Sequence, residues 1–103
     1  MKPVNPSSTH RPGDLMRSYE QALYYDGVTG HSIRLRKKWV RAFIHFHYRQ
    51  HPLELGEQHV RLFLIHLECY KKLPLRDRQS CTSAILYLYR RLLGQPDFHI
   101  LDP

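Results

Sequence analysis

The 103-residue chain is 42% hydrophobic, carries a formal net charge of +7, and contains seven tyrosines, four phenylalanines and one tryptophan. That length allows one folded domain with a real core and excludes two. The charge favours nucleic acid or an anionic surface over a neutral or cationic partner. The longest apolar run, residues 84–89, falls far short of the roughly 20 residues of a membrane span.

The N-terminal stretch MKPVNPSSTHRPGD has no apolar centre and does not read as a signal peptide. Residues 1–12 hold three prolines and no apolar periodicity, which predicts a disordered lead-in. A first helix is expected from Gly13 or Asp14, with Asp14 as N-cap and Leu15, Tyr19, Ala22 and Leu23 facing inward. It ends by Gly27, and residues 27–30 form a connection of the kind that takes positive φ.

Ser32 is the expected N-cap of a central helix running to Arg49 or Gln50, where His51-Pro52 stops it. A third helix is predicted over residues 57–70, with Val60, Phe63, Leu64 and Leu67 as its core face. Asp77 is the expected N-cap of a fourth helix over residues 78–93. Its seam is Cys81, Ile85, Leu88 and Leu92, widened by Leu86, Tyr89 and Leu93, with Gly94 at C′ and Pro96 beyond. No strand signal emerges, so four helices with short connections predict an all-α bundle.

The central segment has two faces. Trp39, Val40, Phe43, Ile44 and Phe46 recur at helical spacing, and Arg34, Lys38, Arg41 and His45 share another face with Lys37 beside them. A solvated helix surface usually mixes signs. Here no Asp or Glu occurs between Asp26 and Glu54, which points to an anionic partner.

Other constellations have plainer readings. His45, His47, His51, His59 and His66 carry no cysteine at finger-like spacing, and His45 and His47 project about 200° apart on a helix. No metal or other cofactor is expected from them. Cys69 and Cys81 read as small buried apolar residues of a reducing compartment. Tyr19, Tyr24, Tyr25, Tyr87 and Tyr89 read as core edges, with stacking on unpaired bases as the alternative. Arg90 and Arg91 complement a helix C-terminus.

The ordered segments HSIRLRKKWVRAFIHFH, HPLELGEQHVRLFLIHL and DRQSCTSAILYLYRRLLG resemble the N-terminal core-binding domain of tyrosine recombinases, of the integron and phage integrase type. The likeness covers about residues 14–101. It rests on the run from Trp39 to Ile44, on His47 and His51-Pro52, on Val60, Phe63, Leu64 and Leu67, and on Ala84, Leu86, Tyr89, Leu93 and Gly94. Two positions depart: Arg36 replaces the family's tyrosine, and Asp77 replaces its Thr or Ser cap.

The resemblance implies a SAM-like four-helix bundle over residues 13–94, with residues 95–103 beginning a linker to a catalytic domain that this chain lacks. It implies double-stranded DNA at a recombination site as ligand, and no cleavage by these residues alone. Further expectations are docking to the same protein's catalytic domain, a homotetramer in the synaptic complex, a monomer for the isolated domain, and a cytoplasmic setting in a bacterium or phage host. The family's DNA-facing helices map onto the second and fourth here. The candidate DNA-binding residues are therefore Arg34, Lys37, Lys38 and Arg41, with Arg76, Arg78, Gln79 and Thr82. Arg78 and Gln79 are the expected base readers, since their forked ends make paired bonds to base edges.

Two rival readings remain open. One is a helical module docking an acidic protein, which predicts an exposed apolar patch at Ile33, Leu35, Leu62 and Ile65. The other is a binder of structured RNA or single strands.

Overall fold

The apolar periodicity resolves into four helices in the computed structural model, which describes residues 12–47 and 50–100. They are α1 (Pro12–Tyr25), α2 (Gly30–Phe46), α3 (Glu57–Cys69) and α4 (Leu75–Tyr87). A 3-10 turn at Pro52–Glu54 separates α2 from α3, and α4 runs on into a π-helical turn at Leu88–Leu92. No strand occurs among the described residues. The fold is all-α, as the spacing predicts. The lead-in expected over residues 1–12 falls, apart from Pro12, outside the described residues.

Each helix buries the expected stripe. Leu15, Met16, Tyr19 and Leu23 of α1, Trp39, Val40, Phe43 and Ile44 of α2, Val60, Phe63 and Leu67 of α3, and Cys81, Ala84 and Ile85 of α4 form one core with Leu88 and Tyr89. Helix α2 packs most extensively on α4 and next on α1. Its C-terminal end meets α3 through aromatic rings, with Phe46 and Phe63 centroids 5.3 Å apart and Phe43 and Phe63 5.7 Å apart.

Two buried tyrosines tie distant segments together. Tyr19 donates its hydroxyl to the Ala84 carbonyl at 2.7 Å, joining α1 to α4. Tyr89 donates to the Pro52 carbonyl at 2.7 Å, joining the π turn to the 3-10 turn. A buried hydroxyl needs such a partner, and each carbonyl takes it as a second donor beside a backbone N–H, Leu88 at Ala84 and Leu55 at Pro52. Burial pushes both phenols well above the ordinary tyrosine range, and for Tyr19 the nearby Arg36 guanidinium partly offsets this. Tyr24 and Tyr25, by contrast, lie exposed on the outer face of α1 rather than at a core edge.

The α1–α2 corner is a Schellman turn: Val28 N–H reaches the Leu23 carbonyl at 3.0 Å and Gly27 N–H the Tyr24 carbonyl at 3.1 Å. Gly27 takes φ +86°, a conformation that a side chain would strain. Gly94 plays the same part after the π turn, at φ +68°.

The helix boundaries correct several expectations. Thr29, not Ser32, caps α2, because the Schellman turn ends just before it and Gly30 and His31 are already helical; its hydroxyl accepts the Ser32 N–H at 3.5 Å. Helix α2 stops at Phe46 rather than Arg49 or Gln50, with His47 as C-cap; residues 48 and 49 lie outside the described residues. Pro74, not Asp77, occupies the N-cap of α4, which therefore begins at Leu75 and places Asp77 in its first turn. There the carboxylate favours the helix dipole without capping it. Cys69 closes α3 exposed rather than buried, while Cys81 is buried and its thiol pushed up to about 12.

Histidines build the α2–α3 connection. The His47 ring nitrogen Nε2 lies 2.8 Å from the His59 carbonyl, His51 Nδ1 accepts the Leu53 N–H at 3.0 Å, and His59 Nδ1 accepts the Gly56 N–H at 2.9 Å. His47 and His51 are both buried. His51 and His59 thus use Nδ1 as acceptor for backbone N–H groups, whereas His47 Nε2 faces a carbonyl and acts as donor. Among the described residues no three His, Cys, Asp or Glu side chains converge as a metal site.

Candidate nucleic-acid interface

Helix periodicity places Arg34, Lys37, Lys38, Arg41 and His45 within a sector of about 100° on α2, opposite the buried stripe. Arg34, Lys38, Arg41 and His45 are exposed. Lys37 is half-buried and pairs with Glu20 of α1 at 2.7 Å, which holds that carboxyl below its usual range. Lys38 extends its ammonium over the Trp39 ring, 5.4 Å from the centroid. Three cations of the stripe are thus available to solvent, and the fourth is committed to the α1–α2 contact.

The α4 residues are divided between two sides of their helix. Arg78, Gln79 and Thr82 line a groove of about 660 Å³ against α3, together with Ile65, Glu68 and Leu75. Arg78 is held there: its Nε donates to the Leu73 carbonyl at 3.2 Å, and its guanidinium lies 3.6 Å from Glu68. Thr82 turns its hydroxyl back to the Arg78 carbonyl at 2.9 Å. Gln79 is exposed. Arg76, also exposed, belongs by spacing with Ser80, Ser83 and Tyr87, of which Ser83 and Tyr87 line a depression with Arg36 of α2 and Ser83 also borders the α3 groove. Among the described residues no hydrogen bond or ion pair joins the α2 stripe to these α4 residues; the packing of α2 on α4 brings the two helices together.

Sequence spacing missed a cluster between those helices. Arg36, Ser83, Leu86, Tyr87, Arg90 and Arg91 line an open depression of about 400 Å³. Arg36 places its guanidinium carbon 5.7 Å above the Tyr87 ring. Arg91 donates its Nε to Asp26 at 3.3 Å, and Tyr87 gives the same carboxylate its hydroxyl. These two donors, Tyr87 first, hold Asp26 below the usual carboxylate range, and the pairing raises Arg91 further. Arg90 donates its Nε to the Phe98 carbonyl at 2.7 Å, while the Phe98 ring stacks on Tyr89 with centroids 4.1 Å apart. Arg90 and Arg91 thus do more than complement a helix end. The available signal was the four-residue step from Ser83 to Tyr87, with Arg36 on the inner face of α2.

The apolar patch is only partly as expected. Ile33 is buried in the core, whereas Leu35, Leu62 and Ile65 are exposed along with Leu75. No helix among the described residues is long and apolar enough to cross a membrane.

Comparison with known proteins gives a consistent answer. The family model for the N-terminal SAM-like domain of phage integrases matches residues 15–97. A protein of Escherichia coli named integrase/recombinase is 31% identical over 94 residues, covering 88% of this chain and 26% of that protein. A protein of the same name from Pseudomonas aeruginosa matches with the same identity and coverage. The chain therefore spans about a quarter of the length of these curated relatives. With its four helices and the match across nearly all of its described residues, the chain belongs to the phage integrase N-terminal SAM-like domain family.

Proposed function

We propose that this domain holds double-stranded DNA at a recombination site, as the non-catalytic half of a clamp in a tyrosine recombinase. The observation that carries this reading is the stripe of Arg34, Lys38 and Arg41, three exposed cations on the helix packed most closely against α4. Cations at such spacing neutralise successive phosphates and release condensed counterions. Arg76 and Gln79 extend the contact from the start of α4, and Gln79 is the better placed base reader because Arg78 is already bonded to Leu73 and Glu68. Lys37, Arg78 and Thr82 then act chiefly by fixing the helices that present the others.

Strand cleavage falls to a catalytic domain elsewhere in the recombinase. A synaptic tetramer of full-length protomers, in the cytoplasm of a bacterial host, is the setting that follows. The exposed Leu62, Ile65 and Leu75 favour a second surface on the α3 side of the bundle, suited to protein contact rather than to DNA.

An amide-shift titration with duplex DNA at two salt concentrations tests the reading. Shifts at residues 34–41 and 76–79 that fade with salt are expected. Shifts confined to α3 and the 75–79 groove, or none at low salt, would replace DNA holding with protein docking.

A further inference from the structure

We propose that the depression between α2 and α4 is a seat for one backbone phosphate of the bound duplex, gripped by Arg36, Arg90 and Arg91 with Ser83 at its edge. The proposal rests on the DNA-holding reading and adds a site outside the α2 stripe. Three arginines line one open hollow of about 400 Å³, and among the described residues the only carboxylate paired with any of them is Asp26. Two positive charges are left for a ligand to neutralise.

The arginines are also held in place before any ligand arrives. Arg90 and Arg91 are each anchored through Nε, one to the Phe98 carbonyl and the other to Asp26. Arg36 is held between the Tyr87 ring, 5.7 Å from its centroid, and the Tyr19 hydroxyl. Fixing three long side chains in advance removes much of the ordering cost of binding. The π turn contributes by delivering Arg90 and Arg91 from consecutive positions while Leu88 and Tyr89 stay buried. Turns of this kind inside helices recur at functional sites. Planar guanidinium groups suit a tetrahedral phosphate, which accepts from several donors at once. Ser83, exposed on the same rim, supplies a hydroxyl donor.

A phosphate contact differs from a base contact in its signature. Loss of one weakens binding to every sequence alike and lowers the salt slope by about 1. The test measures binding of two unrelated duplexes across a salt series for the wild-type chain, for Arg36→Gln, for Arg90→Gln and for the stripe variant Lys38→Gln/Arg41→Gln. Each pocket variant is expected to lower the log–log slope by about 1 and to weaken both duplexes by a similar factor. Wild-type slopes in both pocket variants, with a reduced slope in the stripe variant, would overturn the seat while leaving the DNA reading intact. Absence of duplex binding by the wild-type chain would overturn both.

A second measurement does not depend on how the variants fold. The guanidinium Nε–H signals of Arg36, Arg90 and Arg91 in the wild-type chain should shift together when a short duplex is added. If they stay fixed while the Arg34 and Arg41 signals move, the seat is excluded.

Discussion

Two groups of cations that look alike in the sequence have different freedom in the fold. On α2, Arg34, Lys38 and Arg41 point to solvent from a helix whose opposite face is anchored in the core. On α4, Arg78 is spent on the Leu73 carbonyl and Glu68, and Thr82 on its own helix backbone. The difference arises from where acids lie. Among the described residues the acid paired with the α2 stripe is Glu20, which occupies Lys37 and lies near Arg41, whereas Glu68 reaches α4 from the end of α3. Formal charge is a property of the chain, but the charge available to a ligand depends on which cations the fold has already paired.

The sharpest way to break this comparison is to neutralise each group in turn. Replacing Arg34, Lys38 and Arg41 together by Gln should cut duplex affinity on the order of 100-fold near 0.1 M salt and lower the salt slope by about 2.7, as expected for three lost phosphate contacts. Replacing Arg76 and Arg78 by Gln should cost about 10-fold or less on the same basis. Equal losses, read by fluorescence anisotropy, would erase the distinction.

Tyr89→Phe separates folding from binding. It removes one buried hydrogen bond while the Leu55 N–H still serves the Pro52 carbonyl, and should lower stability by about 0.5–1.5 kcal/mol in chemical denaturation, with the duplex affinity of the folded fraction unchanged. Arg78→Met should act in the same direction more weakly, by at most about 1 kcal/mol because its partners are partly solvated, and move affinity less than about twofold. A large affinity loss with no stability loss would return Arg78 to the role of base reader.

The histidine corner predicts a pH response. Burial is the main cause that holds His47 below its ordinary value, so the unfolded chain binds that proton more readily than the folded one. Stability is then fully present above about pH 6.5 and declines as pH falls toward the lower, folded-state value. Melting curves between pH 8 and 5 should show this, with a shallower decline in His47→Gln. A flat profile in the wild-type chain would remove His47 from the explanation.

The smallest expected effect concerns Lys72, which sits at φ +54° in the turn leading to α4. A non-glycine residue in that region is strained. Lys72→Gly should therefore change stability by no more than about 1 kcal/mol, favourably if relief of strain outweighs the added freedom of the unfolded chain. A drop larger than that in denaturant titration would mean that the lysine side chain makes a contact worth more than the strain.

The helices were legible because each of their buried stripes repeats at helical spacing, and Val60, Phe63 and Leu67 all reached the core as read. Gly27 and Gly94 were legible too, since only a chain reversal rewards glycine after a run of apolar turns. The caps were not. Ser32 and Asp77 are both good capping residues, yet the competition was decided one turn earlier, by Thr29 after the Schellman turn and by Pro74 in an extended conformation. The candidate site was legible only as charge. Which cations pair, and that Arg36 lines one depression with Arg90 and Arg91 across more than fifty residues, depend on the α2–α4 packing and leave no local pattern.

The single tryptophan gives the domain an optical readout of its own. Trp39 is buried, its indole N–H has no hydrogen-bond partner among the described residues, and the ammonium of Lys38 lies over its ring. An indole in that apolar setting emits at shorter wavelength than one in water, and a cation moving off its face alters the emission without any unfolding. Capture of a polyanion by Lys38 and loss of the core should therefore leave two separable spectral signatures, so an unlabelled sample can report occupancy and integrity in one experiment.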